Sequence, residues 1–222
     1  MFNEVQKSSS LNYQRQQVEV KTQLSMQVLD EISQQMKVSA SEGNYVLPKT
    51  TEELRLMADE GRLSVLLGRE FDGTERFLAS CGYYYLGDEN GVPVFELGAL
   101  IRNDSVTTNP KNQTPNKVLV EPLGGIDPNT PLGQQIITIT VQNIQSKHPG
   151  GVIIATSRSP RSMQALMKAG FSHRQWVAQR LKLSCDSRCL GVEDHTNCEF
   201  AGKNFSDIPN QSGCIQMVYI NQ

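Results

Sequence analysis

Phe95-Glu96-Leu97-Gly98-Ala99-Leu100-Ile101 is an apolar, strand-like stretch that decides the fold together with the segments that follow it. Pro131-Leu132-Gly133 opens a predicted helix, and Val152-Ile153-Ile154-Ala155-Thr156 is typical of a strand buried on both faces. A second helix is predicted from Ser159-Pro160 to Gly170-Phe171, because proline suits the first turn of a helix. Strand, helix, buried strand and helix in this order predict an α/β domain with a mixed central sheet flanked by helices.

Two helices are predicted ahead of this core. Apolar residues recur with a period of about 3.6 residues from Gln17 to Lys37, which indicates an amphipathic helix with one buried face. Thr50 and Glu53 have the spacing of a helix-capping box, and Gly61 follows as a stop signal. These signals predict a second, shorter helix between Thr50 and Gly61.

Three strands joined by tight turns come next. The apolar runs cover 63–67, 77–85 and 92–101. Turns are predicted at Asp72-Gly73 and Asn90-Gly91, which are dipeptides that favour positive φ angles. The three strands therefore form an antiparallel meander.

The middle strand of this meander carries two further expectations. Successive strand residues point to opposite faces, so Tyr83, Tyr84 and Tyr85 cannot all lie on one face. At least one of these rings is expected to face substrate or solvent. Cys81 is most simply a small buried hydrophobe.

The connections outside this core are long. Between Arg102 and Gly133 lies a polar loop, interrupted by Val118-Leu119-Val120, which predicts a short extra strand. Connections of about 4–6 residues are common, so this loop is a lid, a partner surface or a structural insertion. A further strand is predicted from Phe171 to Ser184, and Ile215 to Ile220 alternate like a strand that pairs with it.

Bulk composition indicates one soluble domain. Hydrophobic residues make up 38% of the 222 residues and charged residues 20%. No apolar run approaches the roughly 18 residues of a membrane span. The first ten residues also lack the apolar region of a signal peptide. A cytoplasmic location without membrane contact is therefore expected. The predicted divisions are a mobile polar tail (1–14), two helices (15–62), a core (63–183), a Cys-rich insertion (184–214) and a last strand (215–222).

Charge is unevenly distributed, although the net charge is only -2. No Asp or Glu occurs from Pro128 to Cys185, whereas seven Lys and Arg residues lie there. Such a segment favours a polyanionic ligand, and solvated helix and strand faces explain it equally well. A nucleic-acid partner is not indicated, because the chain as a whole is slightly acidic.

The segment from Leu63 to Leu183 resembles the GCN5-related N-acetyltransferase superfamily, whose members transfer acyl groups from coenzyme A. The strand 95–101, Gly133 at a helix start and the pair Gly170-Phe171 carry the resemblance. In that family this strand parts from its parallel neighbour and binds the pantetheine arm. The resemblance implies that Leu100, Ile101 and Arg102 line the thioester, and that Glu96 is the general base.

Two family motifs are only partly matched. The cofactor loop Gln/Arg-x-x-Gly-x-Gly/Ala falls on Pro128, Pro131 and Gly133, of which only Gly133 fits. By the resemblance, the pyrophosphate would face the amides of Leu132, Gly133, Gln134 and Gln135, since helix amino termini attract anions. The later signature, which begins at Ser159 in this chain, has Leu166 where the family has a tyrosine that protonates the leaving thiolate. Water or Ser162 would have to assist that step.

A cluster of sulfur and imidazole ligands lies before the last strand. Its members are Cys185, Cys189, His195, Cys198 and Cys214. A structural tetrahedral zinc site, two disulfides and unpaired thiols are the three interpretations. A zinc site would stabilise the fold of a polar insertion that has few apolar residues of its own.

Two functional hypotheses follow from these features. The first is an N-acyltransferase that moves an acetyl group from acetyl-CoA to the amine of a small molecule or peptide, with a homodimer as the suggested assembly. The second is a non-catalytic domain of the same fold that binds a partner through its long loop or a zinc-clipped insertion, a hypothesis that Pro131 and Leu166 favour. The chain contains neither G-x-S-x-G nor G-x-x-x-x-G-K-[ST], so a Ser/His/Asp hydrolase and a P-loop nucleotide kinase are excluded.

Overall fold

A mixed α/β architecture is observed in the computed structural model, which describes residues 24–42, 48–127, 129–157, 160–173 and 215–219. The helices are α1 (Met26–Ser41), α2 (Thr51–Asp59), α3 (Leu132–Lys147) and α4 (Pro160–Lys168), with a short 3-10 helix at Pro110–Asn112. The strands are β1 (Leu63–Arg69), β2 (Glu75–Glu89), β3 (Val92–Arg102), β4 (Val106–Thr107), β5 (Val118–Leu119), β6 (Glu121–Pro122), β7 (Val152–Ser157), β8 (Phe171–His173) and β9 (Ile215–Tyr219).

Seven strands form one sheet in the order β6-β1-β2-β3-β7-β9-β8. The β3–β7 pair is parallel, and the other neighbours in this sheet are antiparallel. The predicted mixed sheet and antiparallel meander are therefore confirmed. The predicted short strand at Val118-Leu119 is confirmed as well, and it pairs with β4 in a separate two-stranded sheet.

The last strand pairs as predicted and also has a second neighbour. β9 is antiparallel to β8, which was expected from their alternating patterns, and it lies between β8 and β7. This position covers the outer edge of β7, while the side chains of Ile153 and Ala155 are buried in the core with residues of α3 and α4. The predicted continuation of β8 beyond His173 and the Cys-rich segment 184–214 lie outside the described residues.

Each face of the sheet carries its own hydrophobic core. One core lies beneath α3 and α4 and includes Phe95, Leu97, Ile136, Ile144, Ile153 and Leu166. The other lies beneath α1 and α2 and includes Leu29, Ile32, Met36, Leu54, Phe77 and Ile101. The sheet is thus the middle layer of three, and β3 contributes to both cores, with Phe95 and Leu97 in one and Ile101 in the other.

The predicted capping signals match the observed helix ends. The Thr50 side chain accepts from the Glu53 N–H at 3.2 Å, and the Glu53 carboxylate accepts from the Thr50 N–H at 2.8 Å. Gly61 follows α2 with φ of 65°, the left-handed conformation that glycine adopts without strain. The first helix begins at Met26 and continues one turn past Lys37 to Ser41, because Ser39 is buried as the next member of its inner face. Its predicted start at Gln17 lies outside the described residues.

A polar network joins α1 to the sheet. The Glu31 carboxylate accepts from Arg76 Nε at 2.6 Å, from Asn103 Nδ2 at 2.9 Å and from the Phe77 N–H at 3.3 Å. Arg76 also donates to Glu70 through Nη1 at 2.6 Å. Because Phe77 and Asn103 are buried, Glu31 accepts from donors that water reaches poorly.

Two bulges set the register of the central hairpin. The turn at Asn90-Gly91 has the positive φ angles expected for it, and Glu89 pairs with Val92 directly after it. One extra residue in β2 between Tyr85 and Gly87 then shifts the pairing, so that Tyr84 rather than Tyr85 lies opposite Glu96. A second shift brings Ser80 opposite Ile101.

Among the described residues, no helix combines the length and the apolar character that a bilayer crossing requires.

Candidate functional site

The parallel strands β3 and β7 separate partway along their length. Their pairing begins at Val94–Val152 and ends at Leu97–Ala155. β3 continues for five more residues, to Arg102, without any described pairing on its β7 side. Among the described residues this leaves a gap bounded by backbone at the carboxyl ends of two parallel strands, which is where open α/β sheets bind ligands.

A bulge in β3 lies at the point of separation. Ala99 has φ of 49°, which is uncommon for a residue with a Cβ, and three steps along β3 match two along β2 here. Ser80 Oγ donates to the Ala99 carbonyl at 3.1 Å, which holds the bulged peptide in place. As a result Leu100 packs on the α3 side and Ile101 on the α1 side.

Glu96 lies on the α1–α2 face of β3, just before the separation. It is directly opposite Tyr84 of β2 and Ile154 of β7. Its side chain is half-buried. A carboxylate in this position borders the gap and is partly screened from water.

Tyr84 lies next to Glu96 on the same face of the sheet. Its ring lies over Gly98, where an added Cβ would stand 2.5 Å from Tyr84 Cε2. The Lys49 ammonium lies 5.5 Å from the ring centroid, and the Tyr84 hydroxyl lies 3.6 Å from Met57 Sδ. Burial raises the pKa of Tyr84, so its hydroxyl stays protonated at neutral pH.

The first turn of α3 presents free backbone donors. Its N-cap is Pro131, and no side chain caps the helix. The Gln135 N–H was predicted to face the cofactor, but it donates to the Pro131 carbonyl at 3.1 Å as a helical hydrogen bond. The amides of Leu132, Gly133 and Gln134 have no acceptor within the described part of the chain. This makes the turn a weakly positive surface.

The side chains of that turn are used for packing. Gln135 Nε2 donates to the carbonyls of Asp127 and Thr130 at 2.8 and 2.6 Å, which pins the preceding loop. Gln134 Nε2 donates to the Lys168 carbonyl at 3.2 Å and so joins α3 to α4. An added Cβ on Gly133 would contact only Ala165, at 3.9 Å, so packing does not require glycine there.

The remaining predicted site residues are spread over several surfaces. Ser162 lies in α4 one turn before Leu166, and Leu166 is buried in the core under that helix. Arg102 is exposed, and its Nε donates to Asp104 at 2.8 Å. Ser159 and the five predicted metal ligands lie outside the described residues. Within the described ranges, no three His, Cys, Asp or Glu side chains are grouped so as to hold a metal ion.

Cys81 is buried, as the sequence predicted. Burial raises the pKa of its thiol to about 12, and Thr140 above it donates to the Cys81 carbonyl at 3.4 Å. A thiol of this kind is almost entirely protonated at neutral pH and is a poor nucleophile.

The structure brings together a carboxylate, a phenol and an open strand edge. Glu96 was predicted, whereas Tyr84 and Lys49 were not, because the single-residue bulge in β2 decides which tyrosine shares the Glu96 face. A partly desolvated carboxylate beside unpaired backbone groups can take up a proton while the backbone binds a carbonyl oxygen.

Comparison of the chain with protein-family models, with curated proteins and with solved structures found no match.

Proposed function

We propose that this protein is an acyl-CoA-dependent N-acyltransferase that transfers an acetyl group from acetyl-CoA to an amine. The observation that carries the proposal is the separation of β3 from β7 after Leu97, beside Glu96. An open edge of a strand offers backbone donors and acceptors in a row, which suits the amide groups of a pantetheine arm. The proposal also rests on the sequence resemblance to the N-acetyltransferase superfamily.

Glu96 is the proposed general base. The amine nitrogen attacks the thioester carbonyl carbon and loses a proton to Glu96, directly or through one water. The carbon–sulfur bond then breaks, coenzyme A leaves as the thiolate, and the thiolate takes up a proton from water or from the Ser162 hydroxyl. The backbone N–H groups of 100–102 that point away from β2 are the proposed donors to the developing oxyanion, held by the bulge at Ala99.

The first turn of α3 is the proposed pyrophosphate contact. Leu132, Gly133 and Gln134 supply three amides without a described acceptor. The sequence from 128 to 185 contains no carboxylate, and Asp127, whose carboxylate accepts from the Thr130 hydroxyl, lies just before the turn. The free amides lower the free energy of a bound polyanion, and the Asp127 charge opposes them.

A non-catalytic binding domain is the second candidate. Leu166 is buried at 2% exposure, so the usual acid of the resemblance is replaced by a core side chain. The Gln134 and Gln135 side chains are engaged with backbone carbonyls and are unavailable to a cofactor without rearrangement. Under this hypothesis the fold is kept and a partner binds to the long loop 103–131 or to the Cys-rich segment.

Calorimetric titration with acetyl-CoA distinguishes these candidates, with adenosine diphosphate as the control ligand. Micromolar binding of acetyl-CoA that the control does not reproduce supports a pantetheine arm in the gap. The Glu96→Gln variant should then bind acetyl-CoA normally and lose at least tenfold in acetyl transfer to a panel of amines. Absence of binding by folded protein would favour the non-catalytic domain.

Gly133→Ala tests the helix contact. The added methyl group has room beside Ala165, so the fold should be unchanged while a phosphate close to the amide is displaced. Gln142→Ala, on an exposed position of the same helix, is the matched control. Equal acetyl-CoA affinity of both variants would exclude the α3 turn as the pyrophosphate site.

A further inference from the structure

A second concave site lies on the other face of the sheet, away from the gap. The cavity has a volume of about 520 Å³ and lies between the turn end of the β2–β3 hairpin and the carboxyl end of α3. Its main lining residues are Tyr83, Tyr85, Asp88, Phe95, Lys147 and His148. Pockets of roughly 300–1,000 Å³ are the usual size for small-molecule ligands.

Aromatic rings form the wall of this cavity. Phe95 is surrounded by Tyr83, Tyr85 and His148, with ring-centroid distances of 5.8, 5.6 and 4.6 Å. Tyr85 is 55% exposed and His148 is exposed, so two of these rings offer free faces or edges to a ligand. Aromatic rings add stabilisation to each other in tilted and edge arrangements, so a planar ring would fit this wall.

Two opposite charges at the rim have no ion-pair partner among the described residues. Lys147 Nζ donates to the Gly61 carbonyl at 2.6 Å and has no carboxylate within 4 Å in the described ranges. Asp88 accepts from the Tyr85 hydroxyl at 2.7 Å and likewise has no described cationic partner. Arg62 and Glu60 also line the cavity, but they form an ion pair with each other. The rim therefore offers one ammonium and one carboxylate.

The position of the ammonium is set in advance. Gly61 follows α2 with φ of 65°, and its carbonyl accepts from both Lys147 Nζ and Asn143 Nδ2, at 2.6 and 3.0 Å. This contact joins the carboxyl end of α3 to the turn before β1. A cationic group held in this way loses little freedom when it binds an anion.

The cavity is separate from the proposed acyl-transfer site. Phe95 and Glu96 are neighbours in β3 and point to opposite faces of the sheet. Ile101, at the far end of the gap, is six residues from Phe95, which is about 20 Å along a strand. A ligand bound here cannot be the acyl acceptor at Glu96.

The geometry points to a binding site for a zwitterionic aromatic α-amino acid. The ring packs against the exposed surfaces of Tyr85 and His148, which cover the buried Phe95. The carboxylate pairs with Lys147, and the ammonium pairs with Asp88. Each charged group of the ligand thus pairs with one of the two rim charges, Lys147 or Asp88, and the apolar ring contacts the aromatic side chains. Such binding would be a second function of the chain, independent of acyl transfer.

Calorimetric titration of the full chain with L-phenylalanine tests this inference. The comparison ligands are 2-phenylethylamine, which lacks the carboxylate, and 3-phenylpropionate, which lacks the ammonium. L-Phenylalanine should bind at least tenfold more tightly than either. Lys147→Met should weaken L-phenylalanine and 3-phenylpropionate and leave 2-phenylethylamine unchanged, and Asp88→Asn should have the reciprocal pattern.

Lys111→Met and Asp72→Asn, both on exposed positions outside the cavity, are the matched controls. Because Lys147 also holds Gly61, circular dichroism of each variant checks the fold, and Asp88→Asn tests the site without touching that contact. The inference is overturned if folded wild-type protein binds no L-phenylalanine at millimolar concentration. Equal binding of the three ligands, or equal affinity of Asp88→Asn and wild type for L-phenylalanine, would overturn it too.

Discussion

Glu31 is predicted to be the residue that docks α1 onto the sheet, and Glu31→Ala should destabilise the fold strongly. The substitution removes the acceptor of three hydrogen bonds, from Arg76, Asn103 and the Phe77 N–H. The Glu31 and Arg76 side chains are only 20% and 21% exposed, so water replaces these bonds poorly.

The size of the effect follows from these contacts. Arg76 keeps its bond to Glu70, and Asn103 keeps its bond to the Phe77 carbonyl at 3.0 Å. What is lost is a charge-assisted pair, together with a buried backbone donor left without an acceptor. Losses of this kind are worth about 3 kcal/mol in total. For a chain of this length that corresponds to a fall in Tm of roughly 6–12 °C.

Thermal unfolding followed by circular dichroism measures this change. Glu31→Gln keeps the shape and one acceptor, so its fall in Tm should be smaller than that of Glu31→Ala. Glu52→Ala removes an exposed carboxylate paired with Arg55 on α2 and should leave Tm unchanged. A double-mutant cycle of Glu31→Ala with Arg76→Met should give a coupling energy of at least about 1 kcal/mol.

Two results would refute this reasoning. The first is a fall in Tm of less than about 2 °C for a folded Glu31→Ala variant, which is below the shift expected from 1 kcal/mol. The second is an additive double-mutant cycle, because residues in direct contact are expected to couple. Either would mean that α1 is held by its apolar face alone.

The other two predictions concern the Glu96 face and the α2 cap. Gly98→Ala places a methyl group 2.5 Å from Tyr84 Cε2, so the ring must move and the free energy of unfolding should fall by about 1–3 kcal/mol. Urea denaturation measures this change, with Gly133→Ala as the control substitution that has room for its methyl group. Equal stabilities of the two variants would contradict the close contact. The hydrogen bond from the Thr50 N–H lowers the pKa of Glu53 from its ordinary 4.5. The ionised Glu53 side chain therefore stabilises the fold fully above pH 4.5, and this stabilisation is lost as the pH falls through the lower pKa of the folded state. Tm measured against pH should therefore approach that of Glu53→Gln in acid, and parallel curves would exclude this linkage.

Local signals predicted the elements of this fold well. Asn90-Gly91 and Asp72-Gly73 specify turns through their tolerance of positive φ, and both join the expected strands. Thr50 and Glu53 specify a helix start through their own side-chain bonds. The apolar run at Val152 predicts a buried strand, and Ile153, Ile154 and Ala155 are all buried. Each of these features depends on residues that are close in sequence.

The candidate site depended on more than local signals. Glu96 was singled out from the strand that contains it, whereas its neighbours Tyr84 and Lys49 come from elsewhere in the chain. The aromatic cavity likewise combines β2, β3, the end of α3 and the turn after α2. No spacing in the sequence connects Lys147 with Asp88, because only the packing of α3 on the sheet brings them to one rim.

By itself, the sequence determined the order of helices and strands, the two hairpin turns and the burial of β7. The tertiary structure alone decided where β9 inserts, where β3 leaves β7 and which side chains share a face. The physical reason lies in the bulges, because one extra residue in a strand reverses the faces of every residue beyond it. Gly87, with φ of 108° at the bulge in β2, is a local sign of that bulge, but its effect on strand pairing is seen only in the folded sheet. Tyr84 faces Glu96 and Tyr85 borders the cavity for that reason.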